Sequence, residues 1–222
     1  MVKEIKYKIL NIVFFTQKVV RYLIVIIFYI LYPAFGFFNK LITIFLLIPF
    51  RAAILQLKIK SLGKNALLKY TAVELIGGQN IIIGKNFVCG KFLRMEAINL
   101  QKNDRVKIHI GNNVQINDYC HIGSIHLVKI GDGCLIASKV FITDHSHGNT
   151  EFENIEPEKK ELVSKGPVII GKNVWIGESV VILSNVTIGD NCIIGANSVV
   201  TKGFPENSII AGVPAKLIRE IE

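Results

Sequence analysis

Aliphatic residues recur every six positions from about residue 80 onward, and a small residue usually follows each of them. The pair is Ile-Gly at eight places, which begin at Ile83, Ile110, Ile122, Ile130, Ile170, Ile176, Ile188 and Ile194. A period of six fits neither an α-helix nor an alternating hairpin strand. It is typical of a parallel β-helix, in which each short strand buries its aliphatic residue and the next residue turns a corner. The pattern therefore predicts an all-β solenoid.

A second core position lies two residues before most of the aliphatic ones and carries a small or β-branched side chain. Cys120, Cys134 and Cys192 take this position, and Cys89 takes an aliphatic one. The cysteine spacing matches neither close disulfide pairs nor a metal site. Because buried free cysteines behave as small hydrophobic residues, we expect all four in the core rather than in thiol catalysis.

The period is broken in two places. It slips by two near His126 and stops between Ile142 and Ile170. The second break begins at TDHSHG, residues 143–148, and continues as an acidic excursion. A regular solenoid has little reason to place histidines there for packing, and insertions in repeat proteins tend to form binding surfaces. The excursion is therefore the candidate functional site; the alternative is a solvated loop with incidental histidines.

The net charge of +9 belongs entirely to the N-terminal segment. Residues 1–64 contain ten Lys or Arg and one acid, Glu4, whereas the rest of the chain has 16 of each sign. The basic residues are not interleaved with base-stacking aromatics, which argues against a nucleic-acid partner. They flank two apolar blocks, 22–38 and 41–50; the first is at the lower length limit for a membrane span and is broken by Pro33.

We therefore expect residues 1–64 to form helices on the cytoplasmic face of the cell membrane, with the basic side chains toward anionic lipid. These helices would lie on the membrane or dip into it. Two alternatives stay open: a single spanning helix, and a helical pair packed on its own domain or on a partner subunit. No small-residue cleavage site follows either apolar block, so a removable signal peptide is not expected.

Four stretches resemble one known family, the hexapeptide-repeat acyltransferases, in the branch that O-acetylates galactosides, maltose and polysaccharides. The stretches are IHIGNNVQIN (108–117), IGDGCLIASKVFITDHSHG (130–148), the uninterrupted repeat at 164–203, and AGVPAKLIRE (211–220). The resemblance implies a left-handed parallel β-helix over residues 65–213, with an excursion loop at 143–169 and a C-terminal tail at 214–222. It also implies a homotrimer, in which acetyl-CoA lies in a cleft between neighbouring subunits.

The resemblance places the catalytic histidine at His145, with His147 as its rival two residues away. A sugar hydroxyl is a poor nucleophile at neutral pH, and an imidazole that takes its proton contributes on the order of 10²–10⁴-fold. Asp144 either orients the ring or caps the turn through its own backbone. For the acceptor the resemblance points to Asn117 and, beside it, Asp118; the alternative for Asn117 is a corner residue with left-handed backbone angles.

Five further residues are implied as cofactor-binding by the resemblance alone. Trp175 would line the CoA groove or pack against the trimer neighbour, and Ala196 would contact the pantetheine arm through its backbone. Thr201, Lys202 and Arg219 would lie near the nucleotide end, where cationic side chains suit phosphates.

The sequence thus predicts an acetyl-CoA-dependent sugar O-acetyltransferase without a metal, in surface-polysaccharide or lipid-linked glycan biosynthesis. An amino-sugar N-acetyltransferase and a non-catalytic scaffold on the membrane are the alternatives. The same fold also hosts carbonic anhydrases whose zinc is held by three histidines. His109 and His145 have the spacing of the first two ligands, but Thr150 stands at the third position.

Overall fold

The structure is a computed structural model that describes residues 19–22, 24–26, 32, 35–68, 73–100, 105–148 and 156–221. The chain divides into two compact units, Met1–Leu47 and Ile48–Glu222. Much of the first unit, including about half of the apolar block 22–38, lies outside the described residues.

The second unit is a coil of short parallel strands that stack into three sheets, which we call A, B and C. Sheet A consists of Ser61–Leu62, Ile81–Ile83, Ile108–Ile110, Val128–Ile130, Val168–Ile170 and Thr187–Ile188. Sheet B consists of Leu67–Leu68, Val88–Cys89, Gln115–Ile116, Leu135–Ile136, Trp175–Ile176, Ile193–Ile194, Ser208–Gly212 and Ala215–Glu220. Sheet C consists of Val73–Ile76, Leu93–Ala97, His121–Ser124, Phe141–Thr143, Val181–Ile182 and Val199–Val200. A separate antiparallel pair joins Ser146–His147 to Leu162–Val163.

The core is built from the six-residue repeat. Strand register places the aliphatic residues of successive coils directly above one another, as in the column Ile116, Ile136, Ile176 and Ile194 of sheet B. These side chains are fully buried. Burial of one such side chain contributes about 1.5–3 kcal/mol, so the repeated column holds the coil together. The predicted parallel β-helix is confirmed.

The four cysteines are buried and free, as the repeat predicts. Three thiols donate to backbone carbonyls of the next coil or corner: Cys120 to Ala137, Cys134 to Gly171 and Cys192 to Pro205. Burial raises the pKa of Cys120 and of Cys134 to about 11. Thiols held neutral in this way are packing groups rather than nucleophiles.

The corner between sheets A and B is lined by asparagines with positive φ, a conformation that Asn tolerates better than most residues. Asn86, Asn113, Asn173, Asn191 and Asn207 all adopt it, with φ between 55° and 59°. Their amides also bond from coil to coil; Asn86 Nδ2 donates to Asn113 Oδ1 over 2.7 Å. The polar residues at this corner therefore stabilise the stacking of one coil on the next.

The ends of the coil differ from the predicted boundaries. Strand Ser61–Leu62 precedes residue 65, and helix Ile48–Lys58 belongs to the same unit, because its Leu55 is buried in the core cluster. At the other end, residues expected as a tail form strand Ala215–Glu220, which pairs antiparallel with Ser208–Gly212.

The described helical residues continue from Phe35 to Lys58, and an 18-residue window of this 24-residue helix has a mean hydropathy of 1.8. By length and composition this helix could cross a membrane, and only 6 % of its apolar window is buried. A π-helical stretch, Thr43–Leu47, comes just before Pro49. A proline ring displaces the carbonyl four residues earlier, which accounts for the locally widened helix.

In the described part of the chain, the connections of most unequal length lie at the corner that leads from sheet C to sheet A. Residues 183–186 make this turn compactly. In the three preceding coils the same turn is made by residues 98–107, 125–127 and 144–167. Two of these connections are long: the excursion predicted from TDHSHG, and residues 98–107, which the sequence analysis did not predict. The three-residue connection 125–127 lies between them.

Candidate active site

His145 follows strand Phe141–Thr143 and lies at the corner between sheets C and A. Its Nδ1 is 3.1 Å from Asp144 Oδ1 and 3.2 Å from Thr143 Oγ1. The imidazole is mostly covered, with 13 % of its side chain exposed, and the Asp144 carboxylate is fully buried. Because a carboxylate can only accept, this contact places the proton on Nδ1 and leaves the lone pair on Nε2.

Asp144 also holds the second irregular connection. Its Oδ2 accepts from Ser124 Oγ at 2.7 Å and from the backbone N–H groups of His126 and Leu127 at 2.9 and 2.7 Å, while Oδ1 accepts from Ile125 N–H at 2.9 Å. The two roles considered for Asp144, orienting the ring and fixing a turn, are thus both present in one carboxylate. The turn that it fixes lies in the preceding coil.

These contacts keep the Asp144 carboxylate ionised. Burial alone would raise its pKa, but the hydrogen bonds from His145, Ser124 and the backbone N–H groups outweigh burial and hold the pKa below its usual range. A permanent negative charge behind Nδ1 stabilises the imidazolium that forms when Nε2 takes a proton.

A glycine makes room for the His145 ring. A Cβ at Gly123 would stand 3.1 Å from His145 Cε1 and 3.8 Å from His121 Nε2. Strand register pairs Gly123 with Thr143, so glycine lies under the imidazole because the two strands are adjacent.

A charged cluster occupies the same outer face of sheet C. His121 Nε2 is 2.9 Å from Glu96 Oε2, and the Arg94 guanidinium donates through Nε and Nη2 to Glu96 Oε1. Burial of Glu96 is outweighed by the bonds to His121 and Arg94, which lower the pKa of this carboxyl. The ring of His121 also lies against Phe141, with centroids 5.0 Å apart.

Arg94, Glu96, His121 and Ser124 were not predicted as site residues. Register brings Arg94 beside His121 and Glu96 beside Gly123 across an intervening connection of irregular length. Detecting this pattern in the sequence requires aligning coils across insertions, which the six-residue period by itself does not allow.

His147 is placed differently from His145. It is exposed on the short antiparallel strand Ser146–His147, opposite Leu162, and its side chain forms no hydrogen bond or ion pair with the residues that the structure describes. The geometry needed to orient a base is therefore present at His145.

The predicted acceptor residues are engaged within the coil. Asn117 lacks the left-handed angles considered for it, and its Oδ1 accepts from Gln115 Nε2 at 3.0 Å. Asp118 Oδ1 accepts from Lys91 N–H at 2.7 Å, the same coil-to-coil bond that Asp132 and Asp190 make at another corner. Their role toward an acceptor stays a prediction.

The five predicted cofactor residues are exposed but fall into two groups. Trp175 and Arg219 share one row on the outer face of sheet B, and Ala196 follows at its edge. Thr201 and Lys202 follow strand Val199–Val200, at the corner of His145 and two coils further along, roughly 10 Å at the usual strand spacing. The two groups therefore lie on different sheets of the coil, Trp175 and Arg219 on sheet B, and Thr201 and Lys202 after a strand of sheet C.

No group of three or more His, Cys, Asp or Glu within the described parts of the chain is arranged to hold a metal ion. His109 lies on sheet A and His145 at the corner after sheet C, so the two histidines with zinc-type spacing belong to different sheets.

The stacked coils and the carboxylate-held imidazole define a β-helix of the transferase type, and comparisons with known proteins agree. The family described as bacterial transferase hexapeptide (six repeats) matches residues 167–202. The chain is 47 % identical over 147 residues to the putative lipopolysaccharide biosynthesis O-acetyl transferase WbbJ of Escherichia coli, covering 64 % of this chain and 72 % of WbbJ.

Two solved structures have similar coils. A galactoside acetyltransferase in complex with coenzyme A matches with a TM-score of 0.53 and 34 % identity, over 77 % of this chain and 69 % of that one. A variant of AntD, an N-acyltransferase from Bacillus cereus in complex with an amino-sugar nucleotide and coenzyme A, has a TM-score of 0.63 but 24 % identity, over 77 % and 88 %, which shows the fold alone.

The chain belongs to the hexapeptide-repeat acetyltransferases. The three-sheet parallel coil is therefore the left-handed β-helix of that family, as the sequence resemblance implies.

Proposed function

We propose that this protein transfers an acetyl group from acetyl-CoA to a sugar hydroxyl, with His145 as the general base. The observation that carries the proposal is the buried Asp144 carboxylate on His145 Nδ1, which leaves Nε2 free to accept a proton. The 47 % identity to a protein named as an O-acetyl transferase favours a hydroxyl acceptor over an amine.

In the proposed reaction His145 Nε2 removes the hydroxyl proton as the oxygen attacks the thioester carbonyl carbon. The tetrahedral intermediate collapses by breaking the carbon–sulfur bond, and the leaving thiolate takes the proton from the imidazolium. The products are an acetyl ester and free CoA, without an acyl-enzyme. Asp144 stabilises the imidazolium while both steps occur.

We further propose that the active site is completed in a homotrimer. Lys202 and Thr201 share the His145 corner, whereas Trp175 and Arg219 lie on sheet B, so a groove between two chains would unite them. Exposed apolar side chains on the sheet B face, Leu135 and Trp175 among them, support burial of this face against a second subunit. Such a groove has room for an extended cofactor along the seam.

The decisive experiment replaces each histidine separately. In His145→Ala, kcat/KM for acetyl transfer is expected to fall on the order of 10²–10⁴-fold, because the positioned base is lost. His147→Ala is the matched control and should retain most of the activity. Release of CoA thiol and mass spectrometry of acetylated glycan measure both variants.

Full activity in His145→Ala would remove the proposed base, whereas a large loss in His147→Ala alone would transfer the role to the other ring. Parallel assays with hydroxyl and amino sugars separate O-acetylation from N-acetylation. Faster transfer to the amine would overturn the hydroxyl assignment and leave the imidazole chemistry in place.

We also propose that the N-terminal helices lie on the cytoplasmic surface of the membrane, where a glycan under assembly on a lipid would be concentrated beside the enzyme. The helix Phe35–Lys58 is long enough to span, but its Leu55 is buried in the β-helix core. The burial of Leu55 ties the C-terminal end of this helix to the coil, and we propose that the exposed apolar residues before it bind at the membrane interface.

Vesicle flotation tests the membrane proposal. Phe38 and Phe45 are exposed on the helix, and Phe92 is an exposed aromatic on the coil. The double variant Phe38→Glu/Phe45→Glu should lose binding to vesicles that contain anionic phosphatidylglycerol, whereas Phe92→Glu should float like the wild type. Equal flotation of all three proteins would contradict the proposal.

A further inference from the structure

The three irregular connections at the corner between sheets C and A enclose a cavity of about 720 Å³. Residues 105–107 of the first connection, 125–127 of the second, and Leu162 and Ser164 of the third line it. The volume lies in the range typical of small-molecule sites. The first and third connections are longer than the four-residue turn at 183–186, so the cavity depends on these two insertions.

A mostly buried lysine lines the cavity. Lys107 is 5 % exposed and lines the cavity, yet its side chain forms no hydrogen bond or ion pair with any residue in the described parts of the chain. Its backbone is fixed between coils, because its N–H donates to Asn80 and its carbonyl accepts from Val128. The ammonium at the end of this side chain reaches the solvent of the cavity, so it can pair with a bound anion.

The acid that holds this corner does not neutralise Lys107. Both oxygens of Asp144 are engaged, by His145 and the N–H of Ile125 on one side and by Ser124, His126 and Leu127 on the other. Arg105 and His126 add further basic groups to the lining. The cavity is therefore cationic, with apolar walls such as Leu127 and Leu162.

The cavity is tied directly to the proposed base. Leu127 N–H donates to Asp144 Oδ2, and the other oxygen of the same carboxylate contacts His145 Nδ1. On the opposite wall Leu162 pairs with His147, two residues beyond the base. A ligand in the cavity would therefore contact residues 125–127, which hold the carboxylate that orients His145.

We infer that this cavity binds a phosphate or diphosphate ester, and that this group is part of the sugar acceptor. The inference rests on the proposed acetyl transfer and adds to it the class of acceptor: a sugar attached through phosphate to a nucleoside or to an isoprenoid lipid. Lys107 pairs with the phosphate oxygens, and the organic group packs on the apolar walls.

Calorimetric titration of the full-length protein tests the inference, with CoA at saturating concentration so that the phosphate sites of the cofactor are occupied. Inorganic diphosphate, uridine diphosphate and farnesyl diphosphate are the probes. At least one should bind the wild type, and its Kd should weaken about tenfold or more in Lys107→Met, because a charge-assisted contact is lost. Tighter binding of the uridine or the farnesyl probe distinguishes a nucleotide carrier from a lipid carrier.

Lys129→Met is the matched control, because Lys129 is an exposed lysine on the neighbouring strand Val128–Ile130. It should bind the probes like the wild type. Lys107→Met should also show a cooperative thermal transition near that of the wild type without ligand, since its aliphatic side chain can take the place of the mostly buried lysine stem. This second measurement shows that the variant is folded.

No binding of any probe, equal binding by Lys107→Met, or loss of binding when CoA is added would each overturn the inference. His145→Ala separates it from the proposed function. Probe binding should persist in that variant. Acetyl transfer without His145 would overturn only the assignment of His145 as the base. Unchanged probe binding in Lys107→Met would overturn only the assignment of the cavity as a phosphate site.

Discussion

The regular coils of residues 168–200 and the corner between sheets C and A belong to the same six-residue repeat, but they bury different kinds of side chain. In the regular coils most inward positions are aliphatic, with Cys192 and Ser198 as the exceptions, and corner polar groups bond to the next coil. At the irregular corner the buried residues include Asp144, Lys107 and Ser124, and the Asp144 carboxylate takes its partners from Ser124 and the 125–127 connection of the preceding coil. The first region therefore contributes mainly to stability, because its polar groups bond within the coil. The second region contains the side chains proposed to act on the substrate.

Ile182→Ala should have the largest effect and should act on stability. Ile182 is fully buried in sheet C, between Ile142 and Val200 of the adjacent coils. Removing its side chain leaves a cavity and should lower the free energy of unfolding by about 2–5 kcal/mol. Denaturant unfolding measures the loss, and kcat of the folded enzyme should be unchanged. A loss of kcat with normal stability would break the division between the two regions.

Asp144→Asn should act mainly on catalysis. The amide keeps one acceptor oxygen and turns an NH₂ group toward N–H donors, so either the ring or the 125–127 turn loses its partner. We expect kcat to fall on the order of 10²-fold, within the range that a positioned base contributes. Steady-state kinetics measure this loss.

Asp132→Asn is the matched control from the regular part of the coil, where the carboxylate bonds to Asn112 near the surface. Its kcat should stay close to that of the wild type. Equal losses in the two variants would indicate that Asp144 serves the coil alone.

Gly123→Ala should have a smaller effect on the base. The added methyl carbon would lie 3.1 Å from His145 Cε1, so the ring must shift by a few tenths of an ångström. Gly123 does not have a positive φ, and alanine fits its backbone without strain. We expect about a tenfold fall in kcat, or about 1.4 kcal/mol, with little change in the thermal midpoint. Unchanged kcat would argue that the position of this ring is not critical.

Acid should weaken the irregular corner. The pKa of Asp144 is lowered in the folded protein, so its stabilising contribution is present above the unfolded value of about 3.9 and is lost as pH falls through the lower folded value. Glu96 acts in the same direction. The thermal midpoint of the wild type should therefore drop faster below about pH 4 than that of Asp144→Asn. Thermal midpoints that fall equally fast with decreasing pH in the wild type and in Asp144→Asn would contradict the stabilising role of the ionised Asp144 carboxylate.

Several features of the site were predictable from residue types in their local context. TDHSHG interrupts the repeat, and the family resemblance singled out His145 and Asp144, which the structure joins by a 3.1 Å contact. The cysteines were correctly placed in the core, because each takes a repeat position. The domain boundaries were less accurate at both ends, since packing of Leu55 and the antiparallel strand Ala215–Glu220 have no signal in the period.

The sequence alone determined the solenoid, its core and the place where the repeat is interrupted, because a six-residue period specifies which side chains point inward. Only the tertiary structure decided that three separate interruptions meet at one corner, that Glu96 and Arg94 face His121, and that Lys107 is buried beside the loop held by Asp144. The physical reason is that residues on adjacent coils become neighbours through strand register. Because the insertions differ in length, no fixed spacing along the sequence predicts which residues are paired by that register.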